Sequence, residues 1–135
     1  TIGRMKEHYH WSLVNNIRIN PIMHEQAPIV KRCIIALCEK MNIEHVELDI
    51  YLGDYDDLDC WGECTQGKAR QRGDHNQYCI RICTQQSLRD LIATVCHEMV
   101  HVQQWETNKW RGDGEAEAEN RQYILADELW NEGVL

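Results

Sequence analysis

The residues best suited to chemistry are the run His97-Glu98-Met99-Val100-His101. Two histidines four apart on a helix stand one turn apart on one face, so both imidazoles can reach a single metal ion at about 2.0–2.1 Å. Glu98 is displaced by one residue, which sets its carboxylate beside the ion rather than on it. There it can take a proton from a water whose pKa zinc lowers to roughly 7. Glu98 is thus the expected general base of a metal-assisted hydrolysis, with His97 and His101 as metal ligands. Independent-site counting gives this pattern in roughly 3% of shuffled chains of the same composition, so the surrounding sequence must carry the rest of the argument.

That surrounding sequence predicts a helix from about Ser87 to Glu106. Ser87 and Asp90 form a capping-box-like start, and Leu88, Leu91, Ile92, Val95, Cys96, Met99 and Val102 make an apolar stripe with both histidines off it. A zinc site that keeps an open position also needs a third protein ligand. The segment Gly114-Glu115-Ala116-Glu117-Ala118-Glu119 opens a last helix, expected to run to about Asn131 and to bury Tyr123, Ala126 and Trp130. Glu115 and Glu119 share a face of it, whereas Glu117 points elsewhere. Two assignments follow: Glu115 as ligand with Glu119 orienting a ligating histidine, or Glu119 as the ligand itself.

The spacing of Glu115, Ala118 and Glu119 after this motif resembles that of HExxH zinc peptidases whose third ligand is a glutamate. The resemblance implies Glu115 as ligand and Glu119 in the orienting role, although such families more often carry Asp or Asn there. Upstream, Trp61-Gly62-Glu63-Cys64, Tyr78-Cys79-Ile80-Arg81-Ile82 and the helix through Gln103 resemble SprT-like proteins and the small metallopeptidase-like proteins common in bacteriophage genomes. SprT-like proteins usually take histidine as third ligand, and this chain has no histidine after His101. The resemblance implies a minimal zincin-like domain with an edge strand over the zinc cleft, to which an extended peptide substrate would add as a further strand. Cys60 to Thr65 is the expected edge strand.

The elements that must position these residues can be read from periodicity. Pro28 suits a first helical turn, and Ile29, Cys33, Ile34, Leu37 and Met41 repeat at helical spacing up to a stop at Asn42. Val46, Leu48, Ile50 and Leu52 alternate with polar residues as a half-buried strand, and Tyr78, Ile80 and Ile82 mark another. Asp54, Asp56, Asp57 and Asp59 read as a solvated acidic loop without the pattern of a calcium site. Residues 1–25 show weak periodicity and read as an irregular arm. The expected fold is α+β: one domain over residues 1–135, with a small, mostly antiparallel sheet packed on an N-terminal helix, the His-Glu-x-x-His helix and a C-terminal helix.

Composition bounds the function. The 135 residues carry a net charge of -8 and 43% hydrophobic residues, enough for a core. The nearest approach to a basic cluster is Lys68, Arg70 and Arg72, so a nucleic-acid partner is not expected. No apolar run is long enough to span a bilayer and the start, Thr1-Ile2-Gly3-Arg4, lacks a signal-peptide core, which points to the cytoplasm (of a bacterial host, if phage-encoded). The seven cysteines read as reduced thiols packed as small hydrophobes. A second zinc on Cys60, Cys64, Cys79 and Cys83 is disfavoured, because residues 79 and 83 on one strand lie about 13 Å apart. His8 and His10 receive no role, Arg121 and Tyr123 are possible oxyanion stabilisers, and Trp105 and Trp110 are expected to pack on the last helix. The expected function is zinc-dependent peptide hydrolysis; the alternative is a zinc-stabilised binding or virion-associated protein with little turnover, against which an intact Glu98 argues.

Overall fold

The computed structural model describes residues 15–67 and 76–135. The histidines at positions 8 and 10 and the basic residues at 68, 70 and 72 lie outside that range. Alternating apolar residues build the sheet. In β2 (Val46–Gly53) the side chains of Val46, Leu48, Ile50 and Leu52 are buried, and in β4 (Asn76–Cys83) those of Tyr78, Ile80 and Ile82 are. Two further strands flank them, β1 (Asn16–Asn20) and β3 (Gly62–Gln66), in the order β1-β2-β4-β3.

The architecture is α+β, as expected, but the sheet is mixed rather than mostly antiparallel. β1 pairs with β2 and β2 with β4 in parallel, and only β3 runs antiparallel to β4. For β1 and β2 the cause lies in the connection between them. Part of the expected irregular arm is strand β1, and the helix α1 (Ala27–Lys40) connects it to β2, a crossover that brings the second strand back in the same direction. The acidic run after β2 also turns one short helix, α2 (Tyr55–Leu58), whose cap Asp54 accepts from the Asp57 amide, where a loop was expected.

One face of the sheet carries the core. α1 buries Val30, Cys33, Ile34, Leu37 and Cys38, and α3 (Leu88–Thr107) lies beside it across β4 and β3. Ser87 caps α3 by accepting from the Asp90 amide, as the sequence indicates. The opposite sheet face is polar, with Arg18 paired to Asp49 and Arg81 to Glu63. The last helix, α4 (Glu115–Asn131), packs along α3. It buries Ala118, Leu125, Ala126 and Leu129, so the expectation for Ala126 holds. Tyr123 and Trp130 are exposed instead, because Ala118, Leu125 and Leu129 define the stripe that meets α3. No helix among the described residues is long and apolar enough to cross a membrane.

Candidate metal centre

Covering α3 by both the sheet and α4 changes the environment of the motif. Its middle is buried nearly all round: Glu98 is only 5% exposed, and His101, expected off the apolar stripe, only 7%. His97 is half-buried. Burying polar side chains at this depth is costly unless each is paired, so their partners are informative.

The two imidazoles meet nearly edge-on with centroids 5.0 Å apart, and α4 brings Glu115 onto both. His97 Nε2 lies 3.0 Å from Glu115 Oε2, and His101 Nε2 lies 2.7 Å from Glu115 Oε1. One ligand atom from each of His97, His101 and Glu115 falls within 4.8 Å of the other two. Among the described residues this is the one such gathering of His, Cys, Asp or Glu. Glu119 falls outside the group; its side chain lines the adjoining groove.

The far nitrogens of both histidines face glutamines. His97 Nδ1 is 2.7 Å from Gln122 Oε1, and His101 Nδ1 is 2.8 Å from Gln104 Oε1. The orienting role expected of Glu119 therefore falls to Gln122, which lies a further turn along α4. Sequence reasoning missed both glutamines. Gln104 had a usable signal, being three residues after His101 on the same helix face. Gln122 had none, since its contact depends on how α4 lies against α3. Glu117, which points away from the ligand face, reaches Gln104 from the other side, with Oε1 2.7 Å from Gln104 Nε2.

Two close approaches hold this arrangement. Gly62 of β3 runs so near α3 that a Cβ there would stand 2.4 Å from Thr94 Cγ2 and 2.8 Å from Glu98 Oε2. Gly114, at φ +80°, starts α4 where a Cβ would stand 2.3 Å from Gln104 Oε1. Asp113 then accepts from the Glu115 amide, and the acidic first turn suits the positive end of the helix.

Burial pushes the Glu98 carboxyl up to about 8, with the Glu115 and Glu63 carboxylates adding to the effect. The donor set fits a divalent cation on this ground. Two imidazole nitrogens and a carboxylate converge beside a second, buried carboxylate, and a dication there would offset the burial penalty on Glu98.

The centre opens on a groove of about 790 Å³ lined by Trp61 and Gly62 on the strand side and by Thr94, His97, Glu98, Glu119 and Tyr123 on the helix side. β3 is, with β1, one of the two edge strands among the described residues and covers most of the expected Cys60–Thr65 segment. Tyr123 lines this groove, with its hydroxyl donating to Asp90 Oδ1 at 2.7 Å. Arg121 faces away from it, bonded to Gln103 Oε1 at 2.7 Å beside Trp110 and Lys109, and so is not placed to stabilise an oxyanion at the centre. Trp105 sits against Tyr78 and Trp110, with centroids 5.7 and 5.5 Å away, outside the groove. No protein family, curated protein or solved structure matches the chain.

Proposed function

We propose that this chain is a zinc-dependent peptidase. The observation that carries the reading is the convergence of His97, His101 and Glu115 beside an open groove that His97 and the buried Glu98 line. His97, His101 and Glu115 would hold the ion, and zinc supplies Lewis acidity toward a peptide carbonyl and acidifies water. Glu98 is the general base: it accepts a proton from the attacking water and returns it to the departing amine. Gly62 leaves room for that carboxylate and fixes how close the edge strand comes to it. An extended peptide along β3 would cross the groove between Trp61 and Tyr123 in the manner of an added strand. A cytoplasmic setting is part of the proposal, supported by Cys33, Cys38, Cys83 and Cys96 serving as buried thiols of the core.

The experiment is cleavage of a mixed peptide pool by zinc-loaded protein, read by mass spectrometry, against Glu98→Gln. Cleavage lost in Glu98→Gln with zinc retained is the expected result. Binding of peptides without cleavage by either protein would favour a zinc-stabilised binding protein instead.

A further inference from the structure

We infer that Gln104 is the positioning residue that sets two of the three ligand groups together, fixing which nitrogen of His101 turns to Glu115 and where the helix bearing Glu115 begins. The inference rests on the metal reading of the site and concerns how the protein prepares it.

Gln104 is 1% exposed and lies one turn beyond His101 on α3. The two ends of its amide can be told apart by their neighbours. Nε2 is 3.0 Å from the Gly114 carbonyl oxygen and 2.7 Å from Glu117 Oε1. Both are acceptors, so this end must be the NH2 group, and both of its hydrogens are used. The oxygen end therefore faces His101 Nδ1 at 2.8 Å. An acceptor facing a ring nitrogen requires the hydrogen to sit on that nitrogen. Turning the amide over would set oxygen against two acceptors in a buried site, a doubly unfavourable arrangement. His101 is thereby held with Nδ1 donating to Gln104, and Nε2, which faces Glu115 Oε1 at 2.7 Å, is the nitrogen that a cation would share with that carboxylate.

The same amide ties down the other ligand. The carbonyl it holds belongs to Gly114, the residue before Glu115, so the start of α4 is fastened to α3 through Gln104. The close approach requires glycine at 114, as the space left for a Cβ shows. Gln122 does less: its Oε1 meets His97 Nδ1, and among the described residues its side chain makes no hydrogen bond to the start of α4. The two glutamines should therefore differ in their effect on metal binding, with Gln104 the larger.

The test compares zinc affinity, by chelator competition, in wild type, Gln104→Met and Gln122→Met, and reads the ring nitrogens of His101 by 15N NMR. Removing an orienting partner of a ligating histidine typically costs about 10–100-fold in metal affinity. Gln104→Met is expected to lose affinity in that range and more than Gln122→Met does. In the wild type, His101 Nδ1 is expected to carry a proton with and without zinc, and that fixed state should be lost in Gln104→Met. The double variant Gln104→Glu/Glu117→Gln restores an acceptor toward His101 and a donor at 117 but leaves the Gly114 carbonyl without its donor, so it should recover the Nδ1 proton and only part of the affinity. An unprotonated Nδ1 in wild type, or equal zinc affinity in wild type and Gln104→Met, overturns the inference. If Gln104→Met fails to fold, the wild-type spectrum and the double variant still decide. A wild type that binds no zinc removes the metal reading and this inference together, which is distinct from zinc binding that Gln104 does not influence.

Discussion

Substituting Gly62 by alanine tests how β3, α3 and Glu98 fit together. The added methyl would stand 2.4 Å from Thr94 Cγ2 and 2.8 Å from Glu98 Oε2. Carbon atoms rest about 3.5–4.0 Å apart, so the strand and helix must separate by roughly 1 Å here or both side chains must rotate. Thr94 resists rotation, because its hydroxyl donates to the Asp90 carbonyl at 2.8 Å and lies 3.1 Å from Gln86 Oε1. Overpacking of this kind costs about 1–3 kcal/mol of stability. A displacement near 1 Å at a catalytic group costs about 100-fold in rate. Gly62→Ala should therefore lower the urea midpoint and reduce kcat/KM by about 100-fold while keeping its zinc, since Glu98 is not a ligand in this account. Adding Thr94→Ser removes the nearest methyl and keeps the hydroxyl. Stability should then return in large part, while the conflict with Glu98 keeps activity low. Urea melts, zinc content and peptide turnover on the single and double variants decide it. A Gly62→Ala protein with wild-type midpoint and turnover would refute the proposed packing.

Three other expectations are independent of that one. Gly114→Ala places a side chain at φ +80° against Gln104 and should cost about 2–4 kcal/mol in denaturant melts, together with weaker zinc binding in chelator competition. Trp61 is 54% exposed on the groove wall, so Trp61→Ala should raise KM several-fold with kcat and melting temperature little changed; an unaltered KM would remove it from the substrate path. Burial pushes the Cys38 thiol up to about 12 and, against the opposing charge of Arg32, the Cys33 thiol up to about 11. The folded state favours the neutral thiols, so their contribution is fully present below the ordinary thiol value of 9.0 and is lost as pH rises toward the folded values. Stability should fall by up to about 1.4 kcal/mol per pH unit for each of the two thiols above that value, and urea midpoints identical at pH 8 and pH 10.5 would contradict it.

What could be read from the sequence was what local rules determine. The capping residue Ser87 and the three- and four-residue spacing of Leu91, Ile92, Val95 and Met99 mark α3 unaided, and two-residue alternation marks β2 and β4. β1 offers only Ile17 and Ile19 among Asn and Arg, and it is a strand because it pairs with β2 some thirty residues away. Missing it also hid the crossover that makes the sheet parallel there. At the site, His97, Glu98 and His101 were legible because one helix carries all three, and Glu115 because it shares a short motif with its neighbours. The choice of Glu115 over Glu119, the exposure of Tyr123 and Trp130 and the task of Gln122 all depend on how α4 rotates against α3. That rotation is set by the burial of Ala118, Leu125 and Leu129, a contact between elements rather than a property of either.

In the proposed function His97, His101 and Glu115 form one zinc site beside a base that does not bind the ion. Elemental analysis of purified, zinc-reloaded wild type, Glu98→Ala, His101→Ala and Glu115→Ala tests it most directly. About one zinc per chain is expected in wild type and Glu98→Ala, and loss of it in His101→Ala and Glu115→Ala. Zinc absent from the wild type, or retained in His101→Ala, would contradict it.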